Sequence, residues 1–223
     1  MGLTLTLGIA APLVTSISTP SDCRWCNPGS VDTAVRNQLV WRNVNLADTI
    51  STINTYYVGP AAGLVLLYFS DKDESWRRLI DDTLPVLESI AVTQLLTNLA
   101  KVTIARQRPY KHFASTPTEP TREDNQSFIS GHSSFGFALT TSAAYMCHIR
   151  GYWTEPYVWG AGITLSLATE YFRMAADKHY LSDVLVGGLV GIGAGLTIPR
   201  LMRRNLVIVP APESRGLAVV GMF

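Results

Sequence analysis

Three short stretches carry the residues best suited to chemistry. In "KVTIARQRPY", residues 101–110, Lys101 and Arg108 lie two helical turns apart and project from one side of a helix. Pro109 then discourages the helix from continuing. Such cations can complement a helix dipole or snorkel; together they can clamp an oxyanion, the Arg by forked donors and the Lys as a compact charge. In "FISGHSSFGFA", residues 128–138, Ser130, Gly131 and His132 precede a run of small and apolar residues. Ser130 can simply cap that helix, or the free amides of its first turn can seat an anion beside a hydroxyl and an imidazole. In "YFRMAADKHYLSDVL", residues 171–185, Arg173 ends one apolar segment, and His179 and Asp183 stand four apart at the start of the next. On a helix that spacing lets the carboxylate accept a hydrogen bond from one imidazole nitrogen and leaves the other as a directed lone pair.

Taken together, these are the parts of phosphoryl transfer through a covalent phosphohistidine. Cations stabilise the equatorial oxygens, His179 attacks phosphorus, and His132 protonates the leaving oxygen and then helps water attack.

The elements that must position them are apolar. Of the 223 residues 47% are hydrophobic and 16% charged, against roughly 25% charged in soluble domains. The net charge is +1, so no global field recruits nucleic acid, and any anion site has to be built locally. The segments Met1 to Ser21 and Thr49 to Ser70 are long enough to span a bilayer, and Leu84 to Ala105 is a third, interrupted by Glu88 and Lys101. Shorter runs follow at Ser133 to Cys147, Pro156 to Thr169 and Val184 to Pro199. The first segment reads as an anchor rather than a secretory signal, because it lacks a basic start and a clear cleavage site. Residues 1–204 thus form one helical domain, and residues 205–223 form a tail that is irregular or hairpin-like.

If every segment crosses, residues 22 to 48, 106 to 132 and 170 to 183 share one face. That face collects all three clusters with Cys23 and Cys26. The opposite face carries "DKDESWRR", "HIRGY" and "RLMRRN", as cytoplasmic loops do. The expected placement is therefore a bacterial inner membrane with the site facing the periplasm or exterior. A local disulfide between Cys23 and Cys26 suits that side, and two free thiols are the alternative. Of the remaining polar residues, Asp177 and Lys178 are assigned to solvent. Arg106 and Lys111 either greet a headgroup or stay wet, Glu119, Glu123 and Asp124 read as solvated loop charges, and His112 and His148 read as surface groups.

Lys101 with six residues before Arg108-Pro109, then Ser130-Gly131-His132, then Arg173 with five residues before His179 and three before Asp183, resembles the tripartite signature of the type 2 phosphatidic acid phosphatase superfamily. That superfamily includes bacterial class A acid phosphatases and vanadium haloperoxidases. The resemblance spans roughly residues 84 to 200. It implies an all-α fold, a six-helix membrane bundle in which His179 is the nucleophile, Asp183 its partner and His132 the general acid. Lys101, Arg108, Ser130, Gly131 and Arg173 would bind phosphate, with no cofactor or metal and with vanadate acting as a phosphate-mimicking inhibitor. Two positions depart from the pattern: Ile129 replaces a usual proline and Phe172 a usual serine.

The expected substrate is a lipid phosphate monoester or an isoprenoid diphosphate, reached from the membrane. Competing readings are a soluble or peripheral periplasmic acid phosphatase, a vanadate-dependent haloperoxidase, a non-enzymatic anion pocket, and a metal site built from Asp177, His179 and Asp183.

Overall fold

The structure, a computed structural model, describes residues 20–70, 76–116, 119–203, 206–210 and 217–221. After a short irregular stretch comes α1 (Ser30–Leu39). Helix α2 (Val44–Ile53) then runs through a single π-helical turn (Asn54–Val58) into α3 (Gly59–Tyr68), making one 25-residue rod. Next are α4 (Trp76–Ile104), the one-turn α5 (Pro109–His112), α6 (Gly131–Arg150), α7 (Glu155–Ala175) and α8 (Leu181–Arg203). The last described element is an antiparallel hairpin of β1 (Leu206–Pro210) and β2 (Leu217–Gly221), the hairpin form of tail expected from "NLVIV" and "GLAVVG". Most of the segment expected as the first span, residues 1–19, lies outside the described residues.

Helix α6 is the hub, packed against α8, α7 and α4. Its composition explains this: Ala138, Ala143 and Ala144 let neighbours approach closely, and the buried hydroxyls of Thr141 and Ser142 return their bonds to carbonyls one turn earlier. Opposite it, α8 is Gly-rich for a steric reason. A Cβ at Gly187 would come within 2.7 Å of the Ser130 carbonyl oxygen, so α8 can press on the start of α6 only where no side chain intervenes.

The outer faces are apolar. Leu64, Val65, Leu87, Leu96, Leu167 and Leu189 are exposed around the bundle, and the rods Val44–Tyr68 and Leu181–Met202 are long and apolar enough to cross a membrane. We read this belt as facing lipid, with Trp76, Trp153 and Tyr157 exposed near one end, where a bilayer interface would lie. Observed helices run past the apolar segments on which they were anticipated, since their terminal turns are polar. Helix α4, for example, starts at Trp76 rather than Leu84.

Residues 20–43, 105–116, 119–130 and 176–180 gather at the opposite end and are tied together. Trp41 N–H donates to the Ala175 carbonyl (3.0 Å), Tyr110 N–H to that of Asp177 (3.1 Å) and Arg24 N–H to that of Ala105 (3.0 Å). Ala105 (φ 49°) and Asp177 (φ 57°) take the left-handed conformation and turn the chain sharply out of α4 and α7 into the loops that carry the site.

Candidate active site

Lys101 stands in the last turn of α4, and Arg108 opens α5 after that sharp exit. Arg173 lies in the last turn of α7, His132 in the first turn of α6, and His179 in the connection between α7 and α8. All five line one cavity of about 390 Å³, together with Gly131, Asp48, Thr52, Tyr56, Gln94 and Glu123. Lys101 sits beside the helix start, since a Cβ built on Gly131 would lie 3.5 Å from Lys101 Nζ.

Both arginines are buried and only partly satisfied. Arg108 Nε donates to the Glu123 carbonyl (2.9 Å), and Arg173 Nη1 donates to Asp48 and to Ser51 Oγ (3.2 Å). Arg108 Nη1 and Arg173 Nε have no partner among the described residues. A buried guanidinium N–H without an acceptor is costly, so two of them on one cavity mark a place prepared for an anion. The amides that open α6 add the partial positive charge of a helix start.

His179 is 2% exposed, and its Nδ1–H donates to the Ser127 carbonyl at 2.7 Å, which fixes the tautomer and leaves Nε2 as the lone-pair nitrogen. Burial first, then the charges of Arg108, Arg173 and Lys101, push its pKa well below the ordinary value, so the ring is neutral and nucleophilic. Asp183 is not its hydrogen-bonding partner, contrary to the expectation from the four-residue spacing. The carboxylate stands 3.7 Å from Nδ1 because His179 precedes α8 rather than belonging to its first turn. Asp183 instead accepts from Ser127 Oγ (2.5 Å), from Arg106 and from Tyr180 N–H (2.9 Å). The last bond is a capping-box contact from the third residue of α8 back to the residue before it.

Ser130 also differs from expectation. Its Oγ accepts from Ser133 Oγ (3.0 Å) and N–H (3.4 Å), and it is not among the residues lining the cavity. The plain capping role describes its side chain, whereas Gly131 and His132 form the wall. His132 Nε2 is 3.4 Å from Thr52 Oγ1, and its ring lies 4.8 Å from that of Tyr56.

Several residues were misjudged or missed. Asp177 is buried and held by Arg36 through two bonds of 2.7 and 2.6 Å, so it is not solvated. With Asp177 turned to Arg36 and Asp183 to Arg106, the alternative metal set of Asp177, His179 and Asp183 does not converge. Lys178 lines the cavity 3.8 Å from Asp48. Arg106 is 1% exposed, not wet, and Asp124 is buried against Tyr110, Lys111 and Thr121. Asp48, Thr52 and Tyr56 were legible in principle: they recur every four residues and so share one face of the rod. Cys23 and Cys26 form a disulfide in the loop beside Arg106.

The chain is similar to known proteins. The family model of the PAP2 superfamily matches residues 82–206. Human phospholipid phosphatase 2 is 34% identical over 135 residues, which cover 48% of this chain and 46% of that protein. Lipid A 1-phosphatase of Porphyromonas gingivalis is 28% identical over 128 residues, covering 57% of this chain and 24% of that protein. The chain therefore spans less than half the length of either relative. Among solved structures, a transmembrane PAP2-type phosphatidylglycerolphosphate phosphatase from Bacillus subtilis superposes with a TM-score of 0.56 at 18% identity, covering 91% of this chain and 97% of that one. Aquifex aeolicus LpxE gives 0.51 at 19% identity, covering 76% and 92%.

Proposed function

The chain belongs to the PAP2 superfamily, and from that premise we propose that it hydrolyses a lipid phosphate monoester or an isoprenoid diphosphate through a phosphohistidine on His179. One observation carries the reading: a neutral, backbone-oriented His179 shares a cavity with Arg108 and Arg173, whose buried Nη1 and Nε have no partner among the described residues.

The phosphoryl group sits among Lys101, Arg108, Arg173 and the opening amides of α6. His179 Nε2 attacks phosphorus, the P–N bond forms, and the P–O bond to the leaving group breaks as His132, able to hold a proton once the bound phosphate dianion offsets the surrounding cations, gives that oxygen its proton. Charge developing on the imidazole faces the Asp183 carboxylate 3.7 Å away. Water then attacks phosphorus while His132 takes its proton, the P–N bond breaks, and inorganic phosphate leaves with His179 regenerated.

Two features favour a lipid. The cavity belongs to a bundle with an apolar outer belt, and its wall runs from Lys101 down to Gln94, about 10 Å along α4 toward the bilayer. The test offers phosphatidic acid, phosphatidylglycerophosphate, undecaprenyl diphosphate and a soluble aryl phosphate to purified protein in EDTA, with His179→Ala alongside. The expected result is release from at least one lipid by the parent and none by the variant. Equal release by both places the chemistry elsewhere, and release only from the aryl phosphate removes the lipid.

A further inference from the structure

Arg106 lies outside the cavity, yet it touches everything that holds His179. Its Nη1 donates to Asp183 and to Ser182 Oγ (2.7 Å), and its Nη2 to Asp32 Oδ2 (2.6 Å). Its own carbonyl accepts from Ser127 N–H (3.0 Å), and the Ser127 carbonyl in turn accepts the His179 Nδ1–H (2.7 Å). Thus the side chain of Arg106 sets the carboxylate that faces the imidazole, and its backbone sets the carbonyl that orients it.

The guanidinium is itself clamped. The Trp25 ring lies 3.9 Å from its carbon on one contact and the Tyr180 ring 4.3 Å on another. Trp25 is carried by the loop closed by Cys23 and Cys26, and that loop is pinned to the same strand of chain: Arg24 N–H donates to the Ala105 carbonyl (3.0 Å) and Gln107 N–H to the Trp25 carbonyl (3.1 Å). Asp32 in α1 completes the clamp by accepting from Ser182 N–H (3.0 Å) and Ser182 Oγ (2.7 Å). Trp25 and Asp32 both precede the family-matched residues, 82–206.

We propose that Arg106 is a positioning residue for phosphoryl transfer, held by Trp25 and Asp32 of the N-terminal segment, and that it acts by fixing Asp183 and Ser127 around His179. The inference rests on His179 being the nucleophile. Arg106 supplies a positive charge between two buried carboxylates, Asp32 and Asp183. Without it they face each other unscreened, and Asp183 no longer holds a fixed negative charge opposite the imidazole as that ring becomes positive. The phosphate cradle of Lys101, Arg108 and Arg173 makes no contact with Arg106 through these bonds, so ground-state binding should survive the change.

The experiment compares full-length parent, Arg106→Gln, Arg106→Lys and Trp25→Ala on whichever of the four substrates the parent turns over fastest, with inorganic phosphate as competitive inhibitor. Arg106→Gln should lower kcat about ten- to a hundredfold, the scale on which an orienting partner tunes the group it holds, with KM and the phosphate inhibition constant unchanged. Arg106→Lys should recover part of that loss, and Trp25→Ala should lower kcat a few-fold in the same selective way. Unchanged kcat in Arg106→Gln overturns the proposal, as does a parallel loss of kcat and phosphate binding, which a purely structural role produces. Should Arg106→Gln fail to fold, Trp25→Ala decides by the same criterion. The His179 Nδ1–H proton resonance reads the contact without turnover: it should move in Arg106→Gln or, failing that variant, in Trp25→Ala. A resonance that stays put overturns the proposal even in a chain that hydrolyses none of the four substrates, whereas absent turnover alone overturns only the proposed function.

Discussion

The two ends of the bundle both bury an aspartate against an arginine, and the difference between them separates a tie from a site. At the far end, Asp82 in α4 accepts from Arg150 Nε (2.8 Å) and from Tyr152 Oη (2.7 Å), while Arg150 keeps 42% of its side chain in solvent. That cluster joins α4 to the end of α6, and no guanidinium nitrogen there is buried without a partner among the described residues. At the near end, Arg106, Arg108 and Arg173 each meet a carboxylate, and each keeps one buried nitrogen without a partner among the described residues. Two of those nitrogens belong to residues lining the cavity. Ion pairs alone therefore identify nothing; unpaired donors around a polar cavity do.

The contrast can be broken by substitution. Arg108→Gln or Arg173→Gln should lower kcat/KM about a hundredfold or more, because each removes a donor aimed at developing phosphoryl charge. At the far end, Arg150→Gln should leave turnover within about twofold, as substitutions away from a site do. Asp82→Asn should cost about 1–3 kcal/mol of stability, read as a lower unfolding midpoint, with turnover per folded molecule unchanged. A hundredfold loss of turnover from Arg150→Gln would erase the distinction.

Acid sharpens it next. Because the His179 pKa is pushed down by burial and by three cations, the free ring stays neutral below the pH at which an ordinary histidine charges. The acid limb of kcat/KM, corrected for ionisation of the phosphate ester, should therefore lie below about 6.5. An acid limb above that value would mean the cations do not control the ring.

The smallest effect concerns the loop over Arg108. Burial pushes the Asp124 carboxyl up, but hydrogen bonds from Thr121, Lys111 and Tyr110 outweigh it and hold the group at about 2. A carboxylate whose folded value is depressed adds stability above its ordinary value near 3.8, and that stability is lost as pH falls toward about 2. Asp124→Asn should flatten the dependence of the unfolding midpoint across that window and reduce turnover only slightly, since the Arg108 N–H bond goes to the Asp124 backbone carbonyl at 2.7 Å. An unaltered acid profile would show that Asp124 does not anchor the loop.

Much of this was legible in the sequence because types and spacings are local. Lys101 and Arg108, the Ser130 to His132 triplet, and Arg173 with His179 sit at helix ends marked by Pro109, by Ser130 and by the break after Ala175. The two short apolar runs flanking the turn-rich "PAPESRG" likewise match β1 and β2. What failed depended on partners distant in the chain or on where a helix begins. His179 and Asp183 have helical spacing, but the helix starts between them, so the His179 Nδ1–H donates instead to the carbonyl of Ser127, 52 residues earlier. Arg106 looked like any loop cation because its carboxylates lie 74 and 77 residues away. Asp177 looked solvated because Arg36 is 141 residues off. Asp48 lies just before the apolar segment Thr49 to Ser70, and Tyr56 suits an interfacial aromatic belt as well as a cavity wall, so only the folded rod shows that Asp48, Thr52 and Tyr56 face the site.

The most direct test is to quench turnover of 32P-labelled substrate within milliseconds into alkali, where phosphohistidine persists, and to map the label by peptide. Label on the peptide carrying His179, absent in His179→Ala and chased by further incubation, is the expected result. Steady turnover with no covalent label, or with label on a different residue, would contradict the account.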